Sequence, residues 1–250
     1  MPQPLQTYVE LEDVGVKYGN KLVLDSVSIT LQAGEIVGLI GPGGSGKTQL
    51  IRVISTLLFP KTGKVKLFNE PVPRWRVQAL QRLRARVGLQ FQNFALFDYL
   101  NVFENVAFTL RHSTNKTESE IEAIVNGALE RVGLDKTQSK EISELSGGMR
   151  RRVAIARVMA SSPDISVFDD PVAGLDPVNS SRIMTLLQDY CQEHKHLVVI
   201  ATHDLEQLFP VADRIIALFD GHVAYDGPTQ GIHEAASSRV RNFVQSAKPD

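Results

Sequence analysis

Two textures of apolar residues alternate along this chain, and they predict two kinds of strand. Tyr8-Val9-Glu10-Leu11-Glu12 and Ser26-Val27-Ser28-Ile29-Thr30-Leu31 alternate apolar with polar. That is the pattern of antiparallel strands with one wet face. Tyr18-Gly19-Asn20-Lys21 between them carries turn chemistry. Ile36-Val37-Gly38-Leu39-Ile40 is instead a short, nearly unbroken apolar run, and the texture returns at Ile165–Phe168, Leu197–Ala201 and Ile215–Leu218. Such runs fit strands covered on both faces. Helical stretches separate them, so the expectation is an α/β core around a mostly parallel sheet, with an N-terminal antiparallel β part.

Residues 93–162 read differently. No strand pattern stands out there. Thr117-Glu118-Ser119-Glu120 is a capping box, followed by Ile121, Ile124, Val125, Leu129 and Val132 at helical spacing, and Gly133 ends the helix. The segment predicts a mostly helical subdomain inserted into a single domain spanning 1–250. Residues 228–250 form a polar tail in which Val240, Phe243 and Val244 are spaced for a short helix. No internal repeat or low-complexity segment interrupts the chain.

Composition narrows the function classes. A chain of 250 residues can bury a core without disulfides or metal. Lys and Arg number 27 against 28 Asp and Glu, a net charge of -1, which gives no support to a nucleic-acid binder. The single cysteine, Cys191, fits a reducing compartment. Met1–Gln6 carries neither a basic start nor an apolar stretch, so no secretion signal is expected. No apolar run approaches the roughly 18–20 residues of a membrane span. The expectation is a soluble cytosolic chain that forms no pore by itself.

The chemistry sits in Gly41-Pro42-Gly43-Gly44-Ser45-Gly46-Lys47-Thr48, a full G-x-x-x-x-G-K-[ST] phosphate loop. It follows an apolar strand and precedes the helical run Gln49–Ile54. Glycines let backbone N–H groups turn toward a phosphate, and the helix start adds its positive end. In this motif Lys47 reaches the β- and γ-phosphates and Thr48 ligates Mg²⁺. A second acidic site is expected after another buried strand, and Ile165–Asp170 supplies it, with Asp169 on the Mg²⁺. Asn115-Lys116-Thr117-Glu118 is a near miss of a guanine-reading N-K-x-D. It ends in Glu and precedes a helix in the polar insert rather than following a core strand.

Leu145-Ser146-Gly147-Gly148-Met149, followed by Arg150–Arg152 and Val153–Arg157, resembles the LSGGQ signature of ABC ATPases. Ser-Gly-Gly at a helix start is itself an anion site, though alone it could be a plain N-cap. The resemblance covers residues 8 to about 227, in the family's order. It implies that Tyr18 stacks on adenine, Gly41, Gly43, Gly44, Ser45, Gly46, Lys47, Thr48 and Gln49 bind ATP, and Gln92 is the Q-loop glutamine touching Mg²⁺ and water. It further implies that Asp176 lies in the D-loop and His203 is the switch histidine. Ser146, Gly147 and Gly148 would meet the γ-phosphate held by a second copy, in a head-to-tail ATP-sandwich dimer. Without that frame Tyr18 is an edge aromatic, Gln92 a loop residue, His203 a strand-end polar residue and Arg150–Arg152 a solvated helix face.

The family usually has glutamate where this chain has Asp170. The carboxylate remains but is shorter by about 1.5 Å, and a displacement of about 1 Å costs on the order of 10²-fold in rate. An active but modest ATPase is expected. Met149 replaces the usual Gln. With the following arginines and the tail Ser238–Val244, it resembles the ATPases of Mla/Mce-type lipid-transport systems. The resemblance implies a transmembrane permease, a lipid-binding Mce-type protein and a small regulatory subunit as partners, and no nucleic acid. It places the chain peripherally on the cytoplasmic face of the bacterial inner membrane. Asn93–Leu100 is expected either to wall the permease groove or to fill the subdomain core. The alternatives are a polar amino-acid or other small-solute importer, a non-transport ABC ATPase of repair or translation, against which the single bare cassette speaks, and a nucleotide-controlled dimerisation module with very slow hydrolysis.

Overall fold

The computed structural model describes residues 6–246. The stretch Met1–Leu5, and with it most of the segment expected to lack a secretion signal, lies outside the described residues, as do 247–250 of the tail. The strands in chain order are β1 (Thr7–Tyr18), β2 (Lys21–Gln32), β3 (Ile36–Ile40), β4 (Thr62–Leu67), β5 (Glu70–Pro71), β6 (Val87–Gln90), β7 (Ile165–Asp169), β8 (Leu197–Ala201), β9 (Arg214–Phe219) and β10 (His222–Pro228). The α-helices are α1 (Lys47–Ile54), α2 (Val77–Arg84), α3 (Val102–Ser113), α4 (Glu118–Arg131), α5 (Gly147–Ser161), α6 (Pro177–His194), α7 (Leu205–Leu208) and α8 (Ser238–Ser246).

Two sheets follow from the two textures. The alternating segments make an antiparallel sheet in the order β2-β1-β4-β5. The apolar runs make a second sheet in the order β10-β9-β3-β8-β7-β6, parallel except for the β9–β10 hairpin. Its central strands are buried on both faces because successive side chains enter different cores. Ile36 and Ile40 pack with the helices, while Val37 and Leu39 pack with α1 and the antiparallel sheet. The same split separates Val198 and Ile200 from Leu197, Val199 and Ala201.

Residues 93–162 contain α3, α4 and α5 and a single isolated bridge, Asn101 to Glu141. At the start of α4 the capping box forms: Glu120 N–H donates to Thr117 Oγ1 at 3.3 Å and Thr117 N–H to Glu120 Oε2 at 2.7 Å. Gly133, just past the helix, takes φ 68°. In α8, Val240 and Val244 are buried against the main core. Among the described residues no helix is long and apolar enough to cross a membrane.

Candidate functional site

Strand order gathers the chemistry at one edge of the parallel sheet. β3, β8, β7 and β6 lie side by side, and their carboxyl ends release, in that order, the phosphate loop, Thr202–His203, Asp169–Asp170 and Gln92. The register pairs Asp169 with Ala201 and Gln90 with Phe168, so these groups leave the sheet at nearly the same height. Open α/β sheets bind ligands at this edge.

The loop's glycines are dictated by what surrounds them. Gly41 has φ 143°, and a Cβ there would lie 2.1 Å from the Leu218 carbonyl oxygen. Gly46 has φ 109°, and its Cβ would meet Leu24 Cδ2 at 2.7 Å and the Val23 carbonyl oxygen at 2.8 Å. Any side chain at either position would push the loop out of its cradle shape. Directly after Gly46 the helix α1 begins, so its free N–H groups and positive dipole end point at the loop. Lys47 is buried, with its ammonium donating to the Gly41 and Pro42 carbonyls at 2.7 and 3.1 Å. Burial lowers its pKa, opposed by the charges of Asp169 and Asp170.

These groups share a pocket of about 210 Å³, lined by Gly43–Gln49, Gln92, Asp169, Asp170, Thr202 and His203 among others. Burial and the adjacent Asp170 raise the pKa of Asp169, against the pull of Lys47, Arg52 and His203. Two neighbouring carboxylates, a threonine hydroxyl and a glutamine amide form an all-oxygen donor set suited to a hard divalent cation. The crowding that makes Asp169 costly to ionise is what such a cation relieves.

Asp170 sits at φ 55°, in the left-handed region. Asp enters that region more readily than longer side chains because its short carboxylate can bond locally. Its N–H donates to the Ala201 carbonyl at 2.7 Å, and its Oδ1 accepts from the Thr202 hydroxyl at 3.0 Å. Thr202 Oγ1 in turn accepts from Asp204 N–H at 3.1 Å. The hydroxyl between Ala201 and His203 thus ties the Asp170 carboxylate to the histidine turn.

Other expected residues lie elsewhere. Tyr18 is half-exposed at the end of β1 and donates to Gln49 Oε1 at 2.9 Å, at the rim of the pocket rather than in its lining. Ser146 caps α5, accepting from Met149 N–H at 3.3 Å, and neither it nor Gly147 nor Gly148 lines the pocket. Asp176 caps α6, and hydrogen bonds from Asn179 hold its pKa down. The fold therefore brings the phosphate loop, Gln92, Asp169, Asp170 and His203 together and leaves the Ser-Gly-Gly helix start outside.

Sequence reasoning missed several supports. Arg150–Arg152 is not a solvated face. Arg150 donates to the carbonyls of Ile142 and Ser143, and Arg152 to that of Val132. Arg151 is buried, its guanidinium 5.1 Å from the Phe94 ring centre, with Nε unpartnered. Arg157, also on α5, donates to the Phe94 and Ala95 carbonyls, each at 2.8 Å. Phe94 and Ala95 have φ 66° and 49°, so the turn after Gln92 is a strained pair clamped by an arginine fork. Asn105 folds the next stretch, accepting from Phe97 N–H at 2.8 Å and donating to the Phe97, Leu100 and Asn101 carbonyls. Within Asn93–Leu100, Phe97 packs on Phe108 at 4.6 Å while Tyr99 is 78% exposed, so the segment serves both packing and surface. An arginine inside the apolar stretch of α5 was the available signal for the clamp.

A family model described as ABC transporter matches residues 24–173. The intermembrane phospholipid transport system ATP-binding protein MlaF of Escherichia coli strain K12 is 34% identical over 244 residues, covering 98% of this chain and 91% of that protein. The phosphonates import ATP-binding protein PhnC of Wolinella succinogenes is 36% identical, covering 93% and 87%. A solved dimeric structure, a post-hydrolysis state of the ATP-binding cassette MJ0796 bound to ADP and Pi, superposes with a TM-score of 0.84 at 30% identity, covering 88% of this chain and 98% of that one.

Proposed function

Because the chain belongs to the ABC transporter family, we propose that its site is one half of an ATP-hydrolysing sandwich, completed by a second copy, that drives a membrane permease. The observation that carries this reading is the division of the site. The pocket gathers the phosphate loop, Gln92, Asp169, Asp170 and His203, and the second anion-seeking helix start, Ser146-Gly147-Gly148, lies outside it. A head-to-tail pair places that helix start against the γ-phosphate held by Gly41–Thr48 of its partner.

In this reading Lys47 leaves the Gly41 and Pro42 carbonyls to take the β- and γ-phosphates, and Tyr18 stacks on the base at the rim. Thr48, Gln92 and Asp169 would hold Mg²⁺, which when bound neutralises charge between the phosphates. Asp170 polarises the attacking water, anchored by Thr202, and His203 stabilises the γ-phosphate from the neighbouring strand. Asp176 lies at the dimer seam. ATP closes the pair and phosphate release reopens it, a population shift driven by differential binding.

The permease would dock in a groove of about 870 Å³ between α2, α3 and α5, lined by Gln81, Arg82, Thr109, His112 and Arg157 among others. The groove borders the strand that leads to Gln92, so a seated helix reports on the clamped turn that follows. The cargo we assign is phospholipid. Similarity to MlaF across nearly the whole chain, tail included, supports it, as does the Leu-Ser-Gly-Gly-Met signature with its arginines. On this reading the chain sits at the cytoplasmic face of the bacterial inner membrane, with a lipid-binding Mce-type protein and a small regulatory subunit in the same assembly. Mass spectrometry of the co-purified permease complex tests the cargo. Bound phospholipid is expected, and a soluble phosphonate or amino acid in its place would refute the lipid assignment.

A further inference from the structure

Between Glu70 and Asp98 the sequence holds no acidic residue but carries Arg74, Arg76, Arg82, Arg84 and Arg86. In a chain of net charge -1 this is a local cationic block. Two of these arginines are engaged in the fold. Arg84 donates to Thr56 Oγ1 and its carbonyl at 3.1 and 2.8 Å, and Arg86 pairs with Asp164 at 2.7 Å. Arg74, Arg76 and Arg82 form no ion pair among the described residues.

Among these free cations stands Trp75, the only tryptophan of the chain, 85% exposed. It occupies the turn before α2, between Pro73 and the helix start, with the Arg74 guanidinium 5.2 Å from its ring centre and 5.7 Å from that of Phe59. Val77 and Leu57 are exposed as well, at 68% and 47%. The exposed indole lines none of the cavities around it, and burying it against an uncharged protein surface would strand the surrounding guanidinium groups. The boundary between lipid headgroups and acyl chains suits both. Tryptophan partitions there through its apolar ring and N–H, and arginines find phosphates at the same depth.

We infer that the Arg74-Trp75-Arg76 turn touches the anionic headgroups of the membrane surface directly. The patch is continuous with the groove proposed for the permease, since Gln81 and Arg82 of α2 line that groove and Trp75 stands beside the same helix. The orientation of the patch toward the bilayer rests on that docking reading, but lipid contact is measurable on the chain alone. One tryptophan and a few arginines give weak binding, so the turn orients and steadies a subunit that the permease recruits.

The single tryptophan makes the test specific. The purified chain is titrated with vesicles of phosphatidylcholine containing about one-third phosphatidylglycerol, an anionic lipid, and with pure phosphatidylcholine vesicles. A blue shift of Trp75 emission and vesicle co-flotation are expected with the anionic vesicles only. Both should vanish in about 0.5 M salt, where the Debye length is only a few Å. R74Q/R76Q keeps the reporter and should lower partitioning by on the order of tenfold, since each headgroup contact by an arginine contributes several-fold. Its circular dichroism and thermal unfolding midpoint should be unchanged, showing that it folds. No shift with anionic vesicles, an equal shift with neutral ones, or unaltered binding by R74Q/R76Q would overturn the inference. So would a shift produced by an acidic peptide but not by vesicles. Loss of ATP hydrolysis in the parent chain would count against the proposed function and leave the vesicle result readable.

Discussion

Replacing Thr202 by valine removes one hydroxyl at nearly constant volume and cuts the link between the histidine turn and the Asp170 carboxylate. The hydroxyl donates to Asp170 Oδ1 at 3.0 Å and accepts from Asp204 N–H at 3.1 Å. A hydrogen bond to a charged acceptor contributes about 1.5–3 kcal/mol, which is about 10- to 150-fold in rate if the anchored carboxylate is the one that works in the transition state. Displacement of that carboxylate by about 1 Å leads to a similar figure, on the order of 10²-fold. Asp170 N–H still bonds to the Ala201 carbonyl, so the backbone at φ 55° has its own support. Stability should therefore fall by the lost charged hydrogen bond and the orphaned Asp204 N–H together, about 3 kcal/mol, without a backbone rearrangement. Phosphate release at saturating ATP should drop about 10- to 100-fold, with nucleotide affinity little changed and T202S restoring most of the rate. A T202V protein with the parent rate, or one whose loss lies wholly in nucleotide affinity, would refute the positioning role.

Two further substitutions test the supports around the site. Arg157→Ala leaves the Phe94 and Ala95 carbonyls without their fork, so chemical denaturation should show a loss of about 3 kcal/mol. Lysine at the same position should recover little, because a single ammonium cannot span both carbonyls. Asp169→Asn should abolish hydrolysis while stabilising the nucleotide-free protein near neutral pH. The sign follows from the raised pKa of Asp169. Such a group favours folding below its unfolded pKa, and that contribution is lost as pH rises through the folded value. The gain from D169N in urea midpoints should accordingly shrink toward acid pH, and a gain independent of pH would contradict the assignment.

The parallel sheet was legible in the sequence because strands buried on both faces leave unbroken apolar runs, and Leu197–Ala201 forms β8 with those very bounds. The capping box at Thr117 was legible because its residues are local. β4, β5, β6 and α2 were not read. The half-exposed Thr62–Leu67 owes its strand state to pairing with β1, and Val87–Gln90 to pairing with β7, both contacts distant in sequence. The phosphate loop, Asp169 and His203 could be read as motifs, yet their convergence depends on strand order. What sequence could not supply was the environment of Asp170. Read as a carboxylate one methylene short, it occupies a left-handed backbone position with its own hydroxyl anchor. Arg151 and Arg157 were hidden for a related reason, since burial of an arginine depends on where the turn at Phe94 lies in space.

The account rests on the claim that each chain holds half of each ATP site. Light scattering on the Asp170→Asn protein tests it most directly, because blocked hydrolysis lets the ATP-bound pair accumulate. A monomer without nucleotide, a dimer with ATP and Mg²⁺, and return to monomer when Ser146→Arg is added are predicted, with ATP still bound by that monomer. A dimer that ignores ATP, or one that survives Ser146→Arg, would contradict it.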